Sequence, residues 1–263
     1  MSRVLIHPGF HKTGTTSIQS TLKLNADRLA PHLRIVLRDD MSGLTDACRS
    51  YSKSPKPRRL DAVLREAIAL FDTLEPSDPR PVLISSEDLS GLLPGRQDVL
   101  SYAAAPALMA AIGGAAEERF GDWPTFVFTT RDPAGWLGSS WWQHLRSTRM
   151  TDDLDAWSDR AAEAAQLDLI VAATSEAVPD ATVIAAPLAE AKDLPEGPLS
   201  PLLDLLDLPP SLRGTLEIAP RANATPSVGL EPIFLALNRS GLPDAIVGET
   251  KRMLLRKARK IDG

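Results

Sequence analysis

The chain has 263 residues, 43% of them hydrophobic, which suits one α/β domain, residues 1–263, with a sizeable core. Its formal net charge of −5 gives no global case for nucleic-acid binding, so any anion site must be a local basic cluster in an acidic protein. The single cysteine, Cys48, excludes an intrachain disulfide framework and cannot build a zinc site alone. No apolar run approaches the roughly 20 residues of a membrane span, and a polar Met1-Ser2-Arg3 precedes only a strand-length apolar run, so a cytoplasmic protein without signal peptide or membrane span is expected.

Val4-Leu5-Ile6 reads as a short buried strand. A loop follows, His7-Pro8-Gly9-Phe10-His11-Lys12-Thr13-Gly14-Thr15-Thr16-Ser17, with two glycines, one lysine and several hydroxyls. Ile18, Thr21, Leu22 and Leu24 then recur at roughly helical spacing. Leu33–Leu37 is a second predicted strand. Lys53-Ser54-Pro55-Lys56-Pro57-Arg58-Arg59 reads as a basic, proline-broken connection. Leu60, Val63, Leu64, Ala67, Ile68 and Phe71 mark an amphipathic helix.

Pro81–Ile84 is a third strand, ending in Ser85-Ser86-Glu87-Asp88. A weaker helix spans 107–120. Thr125–Thr129 is the fourth strand, ending in Thr130-Arg131-Asp132, and Ala181–Ile184 is the fifth. Residues 194–210 suggest a short helix flanked by turns, and 226–259 a helical end rich in Lys and Arg. Strands alternating with helices predict an α/β fold of three layers, α/β/α, around a central, mostly parallel five-stranded sheet. Ligands of such sheets bind beyond the carboxyl ends of the strands, so the polar residues ending strands one, three and four should share one cleft.

Strand, small-residue loop and helix start form an arrangement that cradles phosphate. Backbone N–H groups at the helix start face the anion and the helix dipole adds to their field. Gly9 and Gly14 have the spacing of a nucleotide-triphosphate loop, but Thr15 stands where that loop needs lysine, and the lysine sits earlier, at Lys12. Arg131 leaves the end of a strand, Pro133 suits the first turn of a helix, and Ser139 follows about two turns on. A guanidinium and a hydroxyl at that spacing suit a phosphate; the same residues also read as an Arg131–Asp132 pair with a capping or back-bonding serine. Glu87 is a candidate general base, and Glu87-Asp88 equally reads as the acidic start of a helix capped by Ser85 or Ser86.

Lys12-Thr13-Gly14-Thr15-Thr16 resembles the 5′-phosphosulfate loop of sulfotransferases that use 3′-phosphoadenosine-5′-phosphosulfate (PAPS), and Arg131 with Ser139 matches that family's 3′-phosphate segment. The resemblance implies a P-loop NTPase-like fold and transfer of a sulfuryl group from PAPS, as co-substrate, to a hydroxyl or amine of a small-molecule, glycan or lipid acceptor, with no metal. It implies Lys12 and Glu87 as catalytic, and Lys12, Thr13, Gly14, Thr15, Thr16, Arg131 and Ser139 as donor-binding. Ser17 stands where cytosolic members carry an adenine-stacking tryptophan, so adenine is expected to be held another way. The segment 221–227 resembles the tail of short bacterial sulfotransferase-like proteins, with Arg221 or Asn223 as a further contact. A P-loop kinase or nucleotide hydrolase, and a non-catalytic nucleotide-binding module, are the alternatives.

Overall fold

The computed structural model describes residues 4–220 and 228–262, so the Arg221 and Asn223 expectation lies outside the described residues. One sheet contains β1 (Val4–His7), β2 (Arg34–Leu37), β3 (Val82–Ser85), β4 (Thr125–Thr130) and β5 (Thr182–Pro187). The strands pair in the order β2-β3-β1-β4-β5, and every pairing is parallel rather than mostly so. Helices join each strand to the next, so every strand starts from the same edge of the sheet.

The longer helices are α1 (Thr15–Leu24), α2 (Ser42–Lys53), α3 (Pro57–Asp72), α4 (Ala105–Phe120), α5 (Pro133–Ser147), α6 (Leu154–Ala161), α7 (Leu167–Ala177), α8 (Ser200–Leu205), α9 (Glu231–Arg239) and α10 (Asp244–Asp262). Val4, Ile6, Val82, Ile84, Phe126 and Phe128 face one core, where residues of α2 to α7 and α9 pack. Leu5, Leu83 and Val127 face the other, against Ile18 and Leu22 of α1 and Leu202 and Leu203 of α8. The alternation along each strand therefore covers both sheet faces, which is why the strands read as continuous apolar runs.

The step from β1 to β2 runs opposite to every later step, and its helix lies on the opposite face. A common crossover hand demands this. As a result the chain leaves β1 toward one face and β4 toward the other, and a crevice opens between their carboxyl ends.

Two stretches differ from expectation. The basic connection shrinks to Ser54–Lys56, because Lys53 ends α2 and Pro57 starts α3 at a position that needs no N–H. The C-terminal helix is broken between Arg239 and Asp244. Its Lys251 is buried, and Nζ donates to the carbonyls of Leu145 at 2.7 Å and Thr148 at 2.8 Å, closing the end of α5. Among the described residues no helix is long and apolar enough to cross a membrane.

Candidate functional site

A cleft of about 850 Å³ lies across the carboxyl ends of the strands. Lys12, Gly14, Thr15, Thr16, Glu87, Arg131 and Ser139, all singled out from sequence, line it together. Thr13 does not. It is fully buried, its Oγ1 donates to Phe10 O at 2.7 Å, and Thr129 Oγ1 lies 2.8 Å away. Its hydroxyl stiffens the loop from inside and is not a ligand donor.

A buried polar chain carries that loop. His7 Nε2 meets Thr129 Oγ1 at 3.1 Å, and His7 Nδ1 meets Ser85 Oγ at 2.8 Å. With the Thr13 proton on Phe10 O, Thr129 must donate to Thr13. His7 Nε2–H then donates to Thr129, and Nδ1 accepts from Ser85. Burial lowers the His7 pKa from 6.5 to about 3, so the ring stays neutral. Three strands are thus tied together directly beneath the loop.

Backbone conformation shapes the loop itself. Gly9 and Gly14 have φ of 51° and 102°, and Lys12 takes a left-handed φ of 73°. A Cβ on Gly9 would lie 2.8 Å from Thr15 Oγ1, and one on Gly14 would lie 3.0 Å from Leu188 Cδ1. The first turn of α1 holds no acidic side chain, so nothing of its own competes for the N–H groups there. Trp136 Nε1 donates to His11 O at 3.0 Å, and the His11 N–H donates to the Tyr102 hydroxyl at 3.1 Å.

Lys12 is the centre of the charge pattern. Nζ donates to Gln143 Oε1 at 3.3 Å. Desolvation first, then the positive charges of Arg146, Arg131 and Arg96, lower its pKa from 10.5 to about 8, with Glu87 working in the opposite direction. Cations packed this closely have a high affinity for an anion, because one oxyanion relieves several repulsions together.

Arg131 does not pair with Asp132. Asp132 Oδ1 instead caps α5, accepting from Gly135 N at 2.7 Å, while Arg131 Nη1 donates to Lys12 O at 3.3 Å. Ser140 back-bonds to Leu137 O at 3.0 Å. Ser139 makes no such bond among the described residues and faces the cleft with Arg131. Gln143, one turn further, also lines the cleft. None of the neighbouring tryptophans does: Trp136, Trp141 and Trp142 are all buried.

Glu87 and Asp88 have separate tasks. Ser86 Oγ accepts from Asp88 N at 3.3 Å, so Ser86 is the cap of the short turn Glu87–Ser90. The Glu87 carboxylate lines the cleft and accepts from Gln19 Nε2 at 3.1 Å. Asp88 is 7% exposed and faces Arg38 Nε at 3.0 Å, His11 Nε2 at 3.6 Å and Arg49 Nε at 3.8 Å. Burial alone would raise its pKa, but His11, Arg38 and Arg49 outweigh it and hold the carboxyl below the usual carboxylate range. Asp88 is therefore a weak proton acceptor and a charge hub, and Glu87 is the carboxylate left to act on a ligand. His11 is committed between Tyr102 and Asp88.

Sequence reasoning missed Arg38, Arg49 and Arg96, which line the cleft beyond Glu87. Only Arg38 had a readable signal, as the residue that follows β2. It also missed the wall after β5, where Leu188 and Pro198 close over Gly14. That wall is anchored by buried Glu196, which accepts from Arg213 Nε at 3.0 Å and Nη2 at 2.9 Å. Chemically, the site has a lysine and an arginine with a hydroxyl to hold a polyanion, and beside them the Glu87 carboxylate, oriented by Gln19, to take a proton. Comparison of the chain with protein-family models, with curated proteins and with solved structures gave no match, so the reading of this cleft rests on its own residues.

Proposed function

We propose that the protein is a PAPS-dependent sulfotransferase with a P-loop-like α/β fold. The observation that carries this reading is that Lys12, Glu87, Arg131 and Ser139, drawn from three separate strand ends, line one cleft. Arg131 and Ser139 grip the 3′-phosphate. The N–H groups opening α1 and the loop at Gly14 to Thr16 receive the 5′-phosphosulfate. Adenine lies against the apolar wall of Leu188 and Pro198, in place of a stacking tryptophan.

The acceptor hydroxyl oxygen bonds to sulfur as the bond from sulfur to the 5′-phosphate oxygen breaks. The hydroxyl proton passes to Glu87, and the electron pair leaves with 3′-phosphoadenosine-5′-phosphate. Lys12 stabilises the negative charge growing on that leaving oxygen. Positioning and electrostatics supply most of the acceleration, as they do for phosphoryl groups. The reaction as drawn needs no metal.

Incubation with PAPS labelled in its sulfuryl group and pooled hydroxyl acceptors tests the reading. Label should pass to acceptor, and Glu87→Gln should lower the rate by about 10²-fold or more while leaving donor affinity intact. Transfer undiminished in Glu87→Gln would remove Glu87 as the base. Absence of any transfer, with stabilisation by ATP and magnesium instead, would favour a kinase or hydrolase.

A further inference from the structure

The cleft extends past Glu87 to the ends of β2 and β3, and that half carries three guanidiniums. Arg38, Arg49 and Arg96 line it. Arg38 and Arg49 share the carboxylate of Asp88, which His11 also faces, and Arg49 Nη1 pairs further with Asp46 Oδ1 at 3.3 Å. Glu87 accepts from the neutral amide of Gln19, which leaves its charge in place for Lys12 and the acceptor. Arg96 has no carboxylate partner: Nη2 donates to Ser147 Oγ at 3.2 Å, and its buried Nε lacks a hydrogen-bond partner. The buried Nε of Arg49 also lacks one. Burial first, and then the nearby Arg49 charge, lower the Arg96 pKa. Arg96 thus carries an unused donor and a charge with no paired carboxylate, whereas Arg49 keeps an unused donor beside its two carboxylates.

Sheet order decides what this charge serves. The strands run β2-β3-β1-β4-β5, so β2 lies three strands from β4. At about 4.8 Å per strand that is roughly 14 Å, too far for Arg38 to share one phosphate with Arg131. Lys12, at the end of β1, sits between the two positive ends, and Glu87, at the end of β3, sits on the Arg38 side.

We propose that the β2–β3 half of the cleft binds an oxyanion belonging to the acceptor, so that the acceptor is a hydroxyl compound already bearing a carboxylate, phosphate or sulfate. This rests on the sulfotransferase reading for the identity of the other half as the donor side. Arg96 and Arg49 hold the oxyanion through their unused N–H groups, and Leu92 and Leu93 pack against the acceptor's body. The anchored anion presents the neighbouring hydroxyl to Glu87.

Calorimetric titration of the full chain tests this, using glucose, glucuronate, glucose 6-phosphate and glucose 6-sulfate, each with and without saturating 3′-phosphoadenosine-5′-phosphate. At least one anionic sugar should bind tenfold or more tightly than glucose, and the tightest identifies the anion. Arg38→Gln/Arg49→Gln/Arg96→Gln should reduce that preference to the level of glucose while the nucleotide Kd changes by a smaller factor, set by the Arg96 charge that also acts on Lys12. Arg96→Gln, which unpairs no carboxylate, serves if the triple variant does not fold, and should lose most of the preference alone. Anionic sugars binding no better than glucose, or a preference surviving the substitutions, would overturn the proposal. Loss of nucleotide affinity as large as the loss of anion preference in the same variants would assign the arginines to the donor and overturn it too. A wild-type chain that binds the anionic sugars but not the nucleotide would sink the donor reading and leave the oxyanion site standing.

Discussion

Raising the pH from 7 to 9 should weaken the binding of 3′-phosphoadenosine-5′-phosphate about tenfold, and Lys12 alone should cause it. Burial and the charges of Arg146 and Arg131 bring the Lys12 pKa in the free protein to about 8. A bound polyanion reverses the sign of that field and restores the ammonium. At pH 7 about ten in eleven of the free lysines are charged; at pH 9 about one in eleven are. The affinity loss over those two units is therefore about tenfold, or about 1.4 kcal/mol. The nucleotide's phosphates have lost their second protons by pH 7, so the ligand contributes no slope. Lys12→Arg removes the slope, because guanidinium stays charged throughout. It also keeps a Cβ at the same φ of 73°, so the backbone cost is unchanged. Titration calorimetry at pH 7, 8 and 9 in a chelating buffer measures this. A flat wild-type profile, or an equal slope in Lys12→Arg, would refute the placement of this ammonium against the ligand.

Two further outcomes follow from the geometry. His7 is neutral when folded, with its pKa held to about 3, whereas an unfolded histidine titrates near about 6.5. Protons therefore favour the unfolded chain: this stability is complete above about pH 6.5 and falls toward pH 3, at up to about 1.4 kcal/mol per unit. Ring resonances of His7 should stay those of a neutral imidazole at pH 5, and a titration near 6.5 would contradict its burial. Arg213→Ala leaves buried Glu196 without its fork of two hydrogen bonds and should cost about 2 kcal/mol. A melting temperature lowered by roughly 4–8 °C, with weaker nucleotide binding through the loosened Leu188–Pro198 wall, checks it; an unchanged melting curve and Kd would refute it.

The legible parts of this molecule were those with local causes. The three inner strands were readable because burial on both faces makes them continuous apolar runs, and the two edge strands because short apolar runs survive there although β5 is mostly exposed or half-buried. The loop from Gly9 to Ser17 was readable because small residues sit between a strand and a helix start. Lys12, Glu87 and Arg131 were readable because they follow strands, and parallel strands share one carboxyl edge; Ser139 was readable from its spacing about two turns into the helix after Arg131. Arg38 follows a strand as well, but its meeting with Asp88 depends on β2 lying beside β3, and chain order does not encode sheet order. Arg49 sits on α2, whose buried stripe of Leu44, Thr45 and Cys48 is too sparse to read as a helix. Thr13 looked like a ligand hydroxyl, yet only its packing reveals that Phe10 and Thr129 already occupy it. The wall at Leu188 and Pro198 has no local pattern, because it is defined by what it covers.

The most direct test compares 3′-phosphoadenosine-5′-phosphate with adenosine 5′-phosphate by calorimetry in the presence of a chelator. The two ligands differ only in the phosphate assigned to Arg131 and Ser139. The 3′-phosphorylated nucleotide should bind at least about 100-fold more tightly, the difference expected of one charge-assisted phosphate grip, and Arg131→Ala should bring it down to the level of adenosine 5′-phosphate. Equal affinity for the two, or a preference that survives Arg131→Ala, would contradict the assignment of this cleft to a sulfuryl donor.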